Sequence, residues 1–88
     1  MVNVTERAKE VLSEILIASG AGEDEGLRLM PGPDGIFVLT LDVELPGDQV
    51  VEYEGLKVLL IGIEYFNILD QATVDCRNTE DGSILFVR

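Results

Sequence analysis

Two periodicities divide the chain. Ala8, Val11, Leu12, Ile15 and Leu16 recur at helical spacing, Thr5 is a favourable N-cap ahead of them, and Glu6 puts an anion in the first turn where the helix dipole favours one. Gly20 stops the run, so the spacing predicts a helix over residues 6–18 with Glu10 and Glu14 on its wet side. From Leu27 the period becomes two. Leu27 and Leu29 share one face of a first strand; Phe37, Leu39, Leu41 and Val43 share one face of a second, opposite Thr40 and Asp42. "MPGPDG" must turn the chain between them, and "LPGD", residues 45–48, makes the next turn.

"VVEYEGLKVLL" then has the form of a hairpin about Glu54-Gly55. A two-residue turn sets Tyr53 against Leu56, Glu52 against Lys57 and Val51 against Val58; a bulged turn with Gly55 left-handed is the alternative, because glutamate suits a type I′ position poorly. Ile61, Tyr65, Ile68 and Leu69 suggest a short helix between about Gly62 and Leu69. Ala72, Val74 and Cys76 alternate with Thr73, Asp75 and Arg77, "TEDG" turns, and "SILFVR" is apolar on both faces, as a central strand or half of a subunit contact would be. There is no internal repeat. The reading is one domain over residues 1–88, α+β and mostly β.

Charge narrows the partners. Seventeen acidic residues against six basic ones leave a net charge of -11, and no two basic residues are adjacent, so nucleic acid and anionic membrane are not expected partners. The acidic excess favours a basic protein partner instead. The N-terminus has no cationic segment ahead of an apolar one, which argues against a signal peptide, and the longest apolar run, residues 58–61, is far short of a membrane span. Asn3-Val4-Thr5 matches the glycosylation triplet and, without secretion, is read as chance. A single cysteine cannot form an internal disulfide; with this composition a cytoplasmic location is expected.

Candidate chemistry is sparse. The absence of histidine removes the commonest general base and transition-metal ligand together. Ser13, Ser19 and Ser83 have no nucleophile motif around them. Cys76 shares a strand face with Val74 and Ala72 and is read as a core residue. Glu23, Asp24 and Glu25 lack calcium-loop spacing and read as part of a mobile, solvated loop over residues 20–26. "GPDG" lacks the glycines and the lysine of a phosphate cradle.

The order of segments "VTERAKEVLSEIL", "EGLRL", "GDQVVEYEGLKVLL" and "ILDQATVD" resembles the HesB-like family of A-type iron-sulfur cluster carriers over nearly the entire chain, the last two pieces being the most telling. The resemblance implies a HesB-like domain, a compact β-sandwich or half-barrel with an N-terminal helix and a second short helix, often found in dimers or tetramers. It also implies three ligand cysteines: one just after the "GLRL" strand and a Cys-x-Cys pair beyond the last strand. This sequence departs at each. "PGPD", Pro31 to Asp34, stands at the first position, the sequence ends at Arg88 before the pair, and Cys76 falls where the family has an aromatic or apolar residue. Gly62-Ile63 replaces the usual polar start of the short helix.

Iron-sulfur clusters are held by soft anionic sulfur, generally four thiolates each. The expectation is therefore a cysteine-degenerate HesB-like domain, not an enzyme, acting as an interaction module without a cofactor. No catalytic, cofactor-binding or metal residue is assigned. A homo-oligomer is expected, formed through an apolar outer face around Ile36, Val38 and the last strand. The alternative is a cluster or iron carrier that works through Cys76 across a dimer or through a partner's ligands.

Overall fold

Thr5 caps the first helix as its position predicts: its Oγ1 accepts the Ala8 N–H at 3.2 Å, and α1 runs Glu6–Ala18. A computed structural model describes residues 1–32, 37–80 and 82–88. Along α1, Ala8, Leu12 and Leu16 are buried, whereas Ile15 lies at the margin and is exposed. Ser13 takes a buried place beside the stripe without an unmet donor, because its hydroxyl donates to the Glu10 carbonyl at 2.6 Å. Gly20, at φ +71°, follows the C-cap Ser19 and adopts the left-handed conformation that ends the helix.

A two-residue strand, β1 (Asn3–Val4), precedes α1. After it come β2 (Glu25–Pro31), β3 (Phe37–Val43), β4 (Gln49–Tyr53) and β5 (Leu56–Ile61). A 3-10 turn (Ile63–Tyr65) leads into α2 (Phe66–Leu69), and β6 (Thr73–Thr79) and β7 (Gly82–Val87) complete the described elements. They form two sheets, ordered β3-β2-β5-β4 and β1-β6-β7, that do not close into a barrel. The stripe of α1 packs with both against one core: Leu27 and Leu29 from β2, Leu59 and Ile61 from β5, Val74 and Cys76 from β6. Gln49 ties the sheets together at one end, since its amide accepts the Val2 N–H at 3.0 Å and donates to the Val2 carbonyl at 2.8 Å.

Turn chemistry accounts for the connections. In residues 45–48 the Asp48 N–H donates to the Leu45 carbonyl at 3.1 Å and Gly47 has φ +86°, the form of a type II turn with Pro46 at its second position. The Glu54-Gly55 turn has two residues after all, with φ +51° and +82°. Tyr53 pairs with Leu56 and Glu52 with Lys57, but Val51 pairs with Leu59, not Val58. The extra residue is a bulge, and it lets both Val58 and Leu59 enter the core where strict alternation would turn one outward.

Other expectations change as well. β2 begins at Glu25, two residues before the predicted periodicity, so the acidic loop is shorter than residues 20–26. The short helix is a 3-10 turn before one turn of α2, and at three residues per turn the predicted spacing fails: Leu69 is buried and Ile68 faces solvent. The final strand is not central. β6 takes that place because β1 pairs with its other side in parallel, which leaves β7 at the sheet edge. The turn expected in "MPGPDG" falls mostly outside the described residues; Met30 and Pro31 belong to β2.

Candidate functional site

Sulfur comes first, because the chain has one thiol. Cys76 pairs with Leu85 on the inner face of the small sheet, is 6% exposed, and belongs to the core cluster. Its neighbours fix that orientation. Asp75, on the opposite side of the strand, accepts the Cys76 N–H at 2.8 Å and the Thr5 hydroxyl at 2.9 Å, joining β6 to the cap of α1. Those hydrogen bonds, the Cys76 N–H foremost, hold the Asp75 carboxyl below its ordinary pKa. Arg77 turns outward, over the ring of Phe86 at 5.9 Å.

A buried polar centre was not anticipated from the sequence. Arg28 on β2 lies among apolar residues with 6% of its side chain exposed, and Asp48, with 3%, meets it in a bidentate pair: Nη2 to Oδ2 at 2.6 Å and Nη1 to Oδ1 at 3.2 Å. Nε donates to Asp42 at 2.6 Å, and Nη2 also reaches the Val43 carbonyl at 3.0 Å. The second Asp48 contact closes the turn, because Oδ2 accepts the Leu45 N–H at 2.7 Å. The hydrogen bond to Asp48 raises the Arg28 pKa, and that same bond lowers the Asp48 pKa. Asp42 is lowered too, first by the Val43 N–H and then by Arg28. With four of the five Arg28 N–H groups engaged by the chain's own acceptors, this cluster pins β2, β3 and the following turn.

The remaining candidates are not brought together. Glu23 and Asp24 are exposed on their loop, whereas Glu25 turns back to accept the Gly22 N–H at 2.8 Å. Ser19 donates to the Ile15 carbonyl at 2.7 Å and Ser83 to Asn78 at 3.1 Å. Among the described residues no three His, Cys, Asp or Glu side chains are grouped to hold a metal ion. Of the segment where the resemblance places a first ligand, Pro31 ends β2 and Gly32 follows, while Pro33 and Asp34 lie outside the described residues.

Apolar surface is more abundant than polar chemistry. An open cavity of about 370 Å³ lies between the two sheets, walled by Phe37 and Leu39 of β3 and by Leu85 and Val87 of β7, with Leu12 and Leu59 behind them. Among the described residues no ionisable side chain lines it. Outside, Val38 and Ile84 are each 45% exposed. Alternation places Val38 on the outer face of the large sheet and Ile84 on the outer face of the small one, so the single apolar face expected around Ile36, Val38 and the last strand divides into two. Ile36 itself lies outside the described residues.

No protein-family model matches the chain, and no curated protein matches it. Solved structures do. The crystal structure of Escherichia coli SufA, a protein involved in the biosynthesis of iron-sulfur clusters, superposes with a TM-score of 0.75 at 20% identity, over 99% of this chain and 83% of that one. IscA with a 2Fe-2S cluster gives 0.68 at 18% identity, covering 100% and 84%, and a solution structure of an Aquifex aeolicus protein gives 0.60 at 24%, covering 99% and 89%. The chain has the HesB-like fold of A-type iron-sulfur carriers. At these identities the likeness establishes the architecture alone, and one inward-facing thiol is a poor fit to the thiolate set that a cluster requires.

Proposed function

We propose that this domain is a non-catalytic interaction module built on the scaffold of iron-sulfur cluster carriers, and that it does not ligate a cluster through its own residues. The observation that carries the reading is the position of Cys76: the one thiol of the chain is committed to the core, on β6 beside β7 and on the side packed with α1. The carboxylates with lowered pKa, Asp42, Asp48 and Asp75, are held by internal donors, which fits structural service better than acid-base work. Partners are proteins, including a second copy of the chain, met in the cytoplasm. No helix among the described residues is long and apolar enough to cross a membrane.

Anaerobic reconstitution with iron and sulfide tests this. The protein is expected to show no thiolate-to-iron charge-transfer absorbance after desalting. Visible bands that persist in the wild type and vanish in Cys76→Ser would establish instead a carrier that shares its thiol across a dimer.

A further inference from the structure

Four strands border the two sheets, and three of them carry features that discourage pairing with another chain. β1 has two residues; β3 contains Asp42 and runs into Glu44; β4 contains Glu52 between Asp48 and Glu54. β7 carries no charge or proline within the strand, Gly82 to Val87, and its charges, Asp81 and Arg88, only flank it. Its surroundings are also only weakly acidic for this protein. Residues 73–88 hold three acidic and two basic residues within a chain of net charge -11, so two copies meeting there escape most of the repulsion that opposes contact elsewhere.

The ladder to β6 determines which backbone groups are free. Arg88 and Thr73 exchange N–H···O bonds in both directions at 2.8 Å, so the Arg88 amide and carbonyl face β6. The register from there to Gly82 is unbroken. By alternation Phe86, Ile84 and Gly82 also direct their backbone groups at β6, while Val87, Leu85 and Ser83 direct theirs at the open edge. Three residues at equal spacing, centred on Leu85, are self-complementary under a two-fold axis.

We propose that β7 pairs antiparallel with β7 of a second copy about Leu85, joining the two small sheets into one continuous sheet. This rests on the interaction-module reading above and specifies its surface. In that register Leu85 meets the partner's Leu85 and Ser83 meets the partner's Val87, which satisfies all the outward amides and carbonyls of residues 83, 85 and 87. On the outer face exposed Ile84 lies opposite the partner's Phe86, an aromatic and β-branched pair of the kind that stabilises sheets.

Sedimentation velocity of the full chain over a concentration series reads the result. Wild-type protein is expected to dimerise at high micromolar concentration. Ile84→Lys, on an exposed side chain, and Ser83→Pro, which removes an outward N–H and spares the β6 ladder, should each raise the dimer dissociation constant at least about 30-fold with unchanged far-UV circular dichroism. Val38→Lys, on the other sheet's outer face, should leave it unaltered. In a Cys76→Ala background, Ile84→Cys with Phe86→Cys should cross-link under mild oxidant, since facing residues in such a pair lie within disulfide reach. A folded dimer indifferent to both edge substitutions, or weakened by Val38→Lys alone, would overturn the β7 assignment and leave the interaction-module reading standing. A wild-type monomer throughout would overturn this pairing; cluster reconstitution tests the broader reading separately.

Discussion

Truncating Asp48 to alanine is the sharpest perturbation of the fold. Asp48 accepts two hydrogen bonds from Arg28 and one from the Leu45 N–H, and both members of the ion pair are almost wholly buried. Asp48→Ala leaves the guanidinium inside the protein with only Asp42, itself half in solvent, and the Val43 carbonyl. Removing one member of a buried pair costs about 3–5 kcal/mol, chiefly the desolvation of the charge left behind. Because Asp42 keeps part of the compensation, the expected loss is at the lower end, about 3 kcal/mol. An 88-residue domain has only about 4–13 kcal/mol in total, so this single change removes a large fraction of it. Urea unfolding at pH 7 followed by circular dichroism should show the midpoint falling by about 1–3 M at unchanged slope.

The dependence on pH has a definite sign. Folding lowers the Asp48 pKa, so its contribution is complete above the ordinary carboxylate value of about 4 and is lost as pH falls through the lower folded value. The gap between wild type and Asp48→Ala should therefore narrow below pH about 4. Replacing both partners, Arg28→Met with Asp48→Leu, should recover much of the loss, since the stranded charge is gone. A loss below about 1 kcal/mol at pH 7, the size of a surface bridge, would refute the argument from burial.

Three further changes test other features. A Cβ on Gly26 would come 2.5 Å from the Lys57 carbonyl oxygen of the neighbouring strand, so Gly26→Ala should cost about 1–3 kcal/mol by forcing β2 from β5; a neutral substitution in chemical unfolding would contradict that contact. Glu54 holds φ +51° in a turn that prefers asparagine there, and Glu54→Asn should raise stability by about 0.5–1 kcal/mol, measured by the same titration and contradicted by any loss. Native Cys76 should react with a thiol reagent at least about 100-fold more slowly than in the urea-unfolded chain; comparable rates would mean the thiol is open to solvent and would remove the support for the functional reading.

Features that depend on near neighbours were legible along the chain. The bounds of α1 follow from Thr5 and Gly20, the inward face of Cys76 follows from alternation with Asp75 and Arg77, and both turns at Pro46-Gly47 and Glu54-Gly55 follow from the residues that form them. The HesB-like architecture came from the resemblance of the segments to that family rather than from the local elements, and the structure has that fold. What the tertiary structure alone decided lies at longer range. Arg28 meets Asp42 and Asp48 across 14 and 20 residues, the bulge at Val58 depends on what the core can admit, and β7 became an edge because β1, at the far end of the chain, claimed the other side of β6. Periodicity tells a strand which face is apolar; only the assembled sheet tells it which neighbour it has, and on which side it has none.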